Sequence, residues 1–144
     1  PGTTASYLAN GTAFADVSDL QLGTVETFIG DDGIVASTQD IAKFYHKLLL
    51  DETILSTSSL AAMKTAVNYQ GAPVYGLGLH FDTISGNQAI GHEGSGAGAG
   101  SYAFYFPAAK TTIVLCTKVG TLTYDVKEQQ FNALWQELVG IVLN

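Results

Sequence analysis

The chain has 144 residues, enough for one domain that buries roughly 68–70% of its unfolded surface. Hydrophobic residues make up 47% and charged residues only 13%, about half the usual charged share, so much of the surface is expected to be buried or covered. Six lysines, no arginine and thirteen acids leave a net charge of −7, which argues against a nucleic-acid binder or a polybasic membrane docker.

Residues 1–33 show little periodicity and read as an irregular opening segment. Pro1 in place of an initiator methionine reads as a cut end. Residues 34–70 read as helical. Gly30-Asp-Asp-Gly33 is a turn, and Ser37-Thr-Gln-Asp40 has the form of a capping box with Asp at its last position. Ile41, Phe44, Tyr45, Leu48 and Leu49 then recur at helical spacing and predict one apolar face ending near Leu50. Ser56–Ser59 opens a second helix, with Leu60, Met63 and Val67 expected inward. His46 falls on the polar side and reads as a solvated residue.

Residues 75–119 read as antiparallel strands. Tyr75, Leu77, Leu79 and Phe81 alternate, Ser85-Gly86-Asn87 is a hairpin turn, and Pro107–Lys110 is another. Thr111–Val119 is a β-branched apolar run and predicts a central strand. The single cysteine, Cys116, lies within it and is expected to be a buried small hydrophobe. Residues 123–143 close the chain as a helix, with Phe131, Leu134, Trp135, Leu138 and Val142 as its stripe. The expected fold is therefore α+β: a meander of about four strands, covered on one face by the C-terminal helix and preceded by two helices.

Between these strands lies Ile90-Gly-His-Glu-Gly-Ser-Gly-Ala-Gly-Ala-Gly-Ser-Tyr-Ala-Phe-Tyr-Phe-Pro107. A strand bearing His92 runs into a glycine turn and returns as an aromatic strand, with Tyr102, Phe104 and Phe106 on one side and Tyr105 on the other. Glycine allows sharp turns and close backbone approach, so His92 is expected at a strand end beside exposed N–H groups. Gly94-Ser-Gly96-Ala-Gly98-Ala99 formally fits a dinucleotide fingerprint, but a strand follows it where that motif needs a helix. His92 and Glu93 are strand neighbours on opposite faces, which speaks against a shared metal ion. No cofactor or metal is expected.

His92-Glu-Gly-Ser95, preceded by Tyr75-Gly-Leu-Gly-Leu79 and followed by Gly100-Ser-Tyr-Ala-Phe-Tyr-Phe-Pro107, resembles the serine β-lactamase and penicillin-binding-protein-like family. That family includes class C β-lactamases, D-alanyl-D-alanine carboxypeptidases and related esterases. Asp32–Phe44, Leu55–Met63 and the last helix fit it too. The resemblance spans nearly all of the chain and corresponds to the C-terminal third to half of a typical family catalytic unit. It implies a single domain, 1–144, forming the C-terminal fragment of a larger serine hydrolase.

The family acts through an acyl-enzyme on the serine of a Ser-x-x-Lys pair, assisted by a Tyr-x-Asn loop and by a Lys-Thr-Gly or His-x-Gly strand. The resemblance implies that His92 and Gly94 supply that strand, with Ser95 offering its backbone N–H as an oxyanion donor and Glu93 and Gly94 contacting substrate. Such a donor contributes roughly 3–4 kcal/mol in known cases. The first two parts are missing. Three residues before the six lysines stand Asp40, Phe44, Ala61, Pro107, Leu115 and Tyr124, none of them serine. Glu93 replaces the usual Thr or Ser and would repel a substrate carboxylate, which leaves ester and amide substrates open.

The chain by itself is therefore expected to be inactive, whereas the full hydrolase would take a small-molecule or peptidyl substrate. The family usually works outside the cytoplasm, and an extracytoplasmic site is implied on that ground alone. The family pairs its last strand with an N-terminal one, so the outer edge of Thr111–Val119 is expected to be open to self-association or a companion chain. The competing reading is a non-catalytic binding or structural module that retains the fold. The plain alternative for His92 is a strand-end histidine beside a glycine turn.

Overall fold

The structure, a computed structural model, describes residues 5–10, 13–27, 34–96, 98–120 and 126–143. It is an α+β arrangement of helices and two sheets. Strands β1 (Tyr7–Asn10) and β2 (Ala13–Asp16) form an antiparallel hairpin, and helix α1 (Ser18–Thr27) follows. Within its described residues the opening segment is thus not irregular. β1 also runs parallel to β9 (Val119–Gly120), from the far end of the chain, with Tyr7 N donating to Lys118 O at 2.8 Å. A partner so distant leaves no local periodicity. The hairpin is tied to α1 by Asp16, whose carboxylate accepts from the Ser18 hydroxyl at 2.6 Å and its N–H at 2.9 Å. Those two bonds hold the Asp16 carboxyl below its ordinary range. The turn expected at Gly30–Gly33 lies outside the described residues.

Helix α2 (Thr38–Tyr45) runs into a π-helical turn at His46–Leu50, and α3 (Thr57–Lys64) follows. The expected cap is present: Ser37 Oγ accepts from Asp40 N at 3.1 Å and donates to the Asp40 carboxylate at 2.7 Å. The Ser37 hydroxyl keeps the Asp40 carboxyl low. Ser56 caps α3 in the same way, accepting from Ser59 N at 3.2 Å. Leu48, Leu49 and Leu60 are buried as expected. Phe44 departs from the pattern and is half exposed. So does Val67, which is mostly exposed and belongs to a strand rather than to α3. His46 is exposed, 3.5 Å from Asp51.

The main sheet has six strands, not four: β3 (Val67–Tyr69), β4 (Ala72–Tyr75), β5 (His80–Ile84), β6 (Asn87–Gly96), β7 (Ala99–Phe106) and β8 (Thr111–Thr117). They lie in chain order as an antiparallel meander. The run 75–82 is not one strand. It folds back between β4 and β5, with Gly76 N donating to Leu79 O at 2.7 Å and Gly78 at φ +71°. A left-handed glycine permits that reversal, and it overrides the alternation. The Ser85-Gly86 turn has φ of 48° and 78°, as an Asn- or Gly-favouring hairpin turn requires.

The strand expected to be central, Thr111–Val119, is the outermost one, and Cys116 on it is exposed rather than buried. A border strand covered by a helix reads like an interior one, and α2 packs against β8. Among the described residues no strand pairs with the outer edge of Thr111–Thr117.

The sheet is covered on both faces. Helix α4 (Val126–Leu143) lays Trp135 and Val139 on Ile84, Ala89, Phe104, Phe106 and Ile113. Tyr102 stacks on Trp135 at 5.0 Å between ring centroids, with the planes 6° apart. On the opposite face α2, the π-helical turn and α3 close over Leu79 and Tyr105 through Leu48, Leu49 and Leu60. Burying each such side chain contributes about 1.5–3 kcal/mol. The buried stripe of α4 runs through Trp135 and Val139, while Leu134 and Val142 are half exposed. Both stripes fit a 3.6-residue period, and the sheet's position decides between them.

Candidate functional site

Strand β6 has two unlike halves. From Asn87 to Gly91 it is paired with β5 on one side and, from Ile90, with β7 on the other. From His92 to Gly96 only β7 pairs with it, and among the described residues the other edge is free. The free half begins at the His-x-Gly sequence. Side-chain alternation sends His92 to the face of α2 and α3, beside Ile90, and Glu93 to the face of α4, beside Tyr102.

The His92 ring is half-buried, and both its nitrogens are engaged. Nδ1 meets the carbonyl oxygen of Glu93, which can only accept, so Nδ1 carries a proton. In the neutral ring Nε2 is then an acceptor, and the Tyr75 hydroxyl donates to it at 2.7 Å. The two rings meet edge to face, with centroids 5.6 Å apart and planes at 85°.

Glu93 is held by the other member of the same hairpin: His80 Nδ1 stands 2.8 Å from its Oε2. Tyr75 and His80 are cross-strand partners on β4 and β5, so one tight turn presents a phenol to His92 and an imidazole to Glu93. Tyr45, on α2, adds a further phenol. Burial, then the neighbouring Tyr75 and Glu93, push its hydroxyl above the ordinary value of 10.0.

Gly94 and Ser95 continue the free half. A Cβ on Gly94 would meet Ser101 Oγ at 3.2 Å, a tight contact, but with a single side-chain atom rather than with backbone. Gly91, two residues back, is packed against backbone: a Cβ there would run into Ala103 O and lie 2.7 Å from Phe104 Cα. Ser95 and Glu93 both line a cavity on the α4 side.

His92, Glu93, Gly94 and Ser95, the four positions singled out in the sequence, are consecutive on one strand segment. His92 and Glu93 face opposite ways. Tyr75, His80 and Tyr45 were missed. The reversal at Gly76 and Gly78, where alternation predicts one strand, is what makes Tyr75 and His80 partners. Among the described residues no three His, Cys, Asp or Glu side chains are grouped to hold a metal ion, and no helix is long and apolar enough to cross a membrane.

The fold is shared with proteins of known structure. A D-stereospecific amidohydrolase from Streptomyces sp. superposes with a TM-score of 0.60 at 22% identity, covering 82% of this chain and 35% of that one. The D-amino acid amidase from Ochrobactrum anthropi SV3, complexed with D-phenylalanine, does so with a TM-score of 0.64 at 19% identity, covering 96% and 43%. At such identities the likeness is one of fold, and this chain spans less than half the length of either. No curated protein sequence matches it. The family model described as Beta-lactamase matches residues 1–134. By that match, with the helix-flanked meander and its His-x-Gly strand, the chain belongs to the beta-lactamase family.

Proposed function

We propose that these residues form a non-catalytic half of a beta-lactamase-family fold, a binding wall that carries out no covalent chemistry alone. One observation carries this reading: the polar side chains of the His-x-Gly segment are taken up within the wall. His92 is used by Tyr75 and by the Glu93 carbonyl, and Glu93 by His80, which leaves neither ring nitrogen of His92 free as a base. The missing Ser-x-x-Lys agrees with it. The chain should turn over neither nitrocefin, p-nitrophenyl acetate nor D-phenylalanine amide, and a fluorophosphonate probe should label no serine. Serine-dependent turnover of any of the three would sink this reading.

A second reading is favoured by the edge of residues 92–96 that is free among the described residues, and by Gly94, which places no side chain on that segment. Joined to a segment bearing Ser-x-x-Lys, in a longer chain or a companion, the same wall would line the active site of a serine hydrolase. An amide or ester would lie along the free edge, be attacked by that serine, and leave an acyl-enzyme for water to hydrolyse. Ser95 N–H would then meet the carbonyl oxygen as the charge develops. The solved amidases make amides the first substrates to try, and an extracytoplasmic location goes with this reading. The test is to mix the chain with such a segment: amidase activity that His92→Ala or Gly94→Val lowers supports the hydrolase wall, and no activity supports the non-catalytic module.

A further inference from the structure

Tyr75 stands where β5 stops pairing with β6, beside the first residue that only β7 pairs. It is 43% exposed, so a ligand in solvent can reach it. Among the described residues its hydroxyl makes one hydrogen bond, to His92 Nε2 at 2.7 Å. The Glu93 carbonyl holds Nδ1 as an N–H, so a proton gained by the ring enters at Nε2. Nε2 then donates, and the Tyr75 oxygen must accept. The phenol proton stays on Tyr75 and turns about the Cζ–Oη bond to point outward. A neutral His92 therefore leaves an acceptor oxygen toward solvent. An imidazolium leaves a donor O–H there, with a positive charge behind it.

The titratable groups around His92 are Tyr75 on β4, Tyr45 on α2, and the His80–Glu93 pair on β5 and β6. Opposite His92, β7 sets the uncharged Ala103. Burial raises the Tyr45 hydroxyl, which stays neutral over the range where imidazoles titrate. Glu93, the residue expected to repel a carboxylate, points to the other face of the sheet. There His80 Nδ1 stands 2.8 Å from its Oε2.

We propose that Tyr75 and His92 form a proton-gated contact for a small carboxylate. A carboxylate can only accept, so it needs the outward O–H, and it gains from the imidazolium behind it. It is released when His92 loses its proton and the hydroxyl turns back. The contact needs no nucleophile, and it holds in a binding module and in a hydrolase wall alike.

The test compares phenylacetate with phenylacetamide on the whole chain by NMR, at about pH 5.5 and about pH 8, toward either end of the range in which histidine changes charge. The amide has the same size and both donates and accepts, so it can meet the hydroxyl in either state. Phenylacetate should bind about tenfold more tightly at the lower pH, the scale of one hydrogen bond to a charged group. The amide should bind alike at both. Shifts should centre on Tyr75 and His92, and the affinity should follow the titration of the His92 ring rather than that of His80. Without ligand, the Tyr75 Cζ resonance should move in step with His92, a readout that needs no variant. Tyr75→Phe should weaken phenylacetate several-fold at the lower pH. Equal pH dependence of the two probes, no saturable shift with phenylacetate, shifts centred elsewhere, a Tyr75 resonance indifferent to His92, or an unaffected Tyr75→Phe variant would overturn the proposal. Because the readout is binding, its failure is separate from any failure to find, or to lack, turnover.

Discussion

The lower and upper halves of β6 share one strand and differ in what their backbone faces. At Gly91 the strand has β5 on one side and β7 on the other, and the glycine is required because Ala103 and Phe104 occupy the space of a side chain. At Gly94 one edge is free among the described residues, and a Cβ would meet a single side-chain atom. The same residue type thus serves packing in one place and access in the other. The boundary between them is where Tyr75 and His80 end the cover and bind the His92-Glu93 pair. Only where pairing stops does this strand leave a backbone edge unpaired among the described residues.

Substitutions sharpen that comparison. The largest effect is expected at Gly91→Ala, where the clash is with backbone and cannot be relieved by a side-chain rotation; a loss of about 3 kcal/mol or more in urea unfolding is predicted. A loss under about 1 kcal/mol would mean that the lower half is not packed as described. Next comes Tyr75→Phe, which removes the hydroxyl that donates to His92 Nε2. That bond is part-exposed, so about 0.5–1.5 kcal/mol is expected, together with a shift of the His92 Nε2 resonance toward an unbonded acceptor nitrogen. An unmoved resonance would show that the phenol and imidazole do not meet in solution. The smallest effect is predicted for Gly94→Ala: within about 0.5 kcal/mol of the parent, since the added methyl meets a single hydroxyl. A large loss there would erase the contrast between the two halves.

Much of this could be read before the fold was known, and particular residues show why. Ser37 and Asp40 announce a helix start because capping is a local bond between neighbours. Tyr102, Phe104 and Phe106 announce a strand face because alternation is a property of the backbone. Cys116 was misplaced because burial depends on which strand lies at the border, and the β-branched run around it carries no mark of that. Leu134 and Val142 were assigned inward because the helix stripe is wide and only contact with Trp135's neighbours selects its centre line. The candidate site divides in the same way. His92, Glu93, Gly94 and Ser95 stood out as a motif. Tyr75 and His80 did not, since their contacts join residues from different strands.

The order of residues alone determined the helix caps, the hairpin turns at Ser85-Gly86 and Pro107–Lys110, the aromatic return strand and the absence of a Ser-x-x-Lys pair, all of which depend on neighbours within a few positions. Only the folded chain decided the sheet's width, the covering of both its faces, the strand that lies at its border and the partners of His92 and Glu93. Those outcomes depend on contacts between segments far apart in sequence, and such contacts form through packing and twist rather than through any local preference.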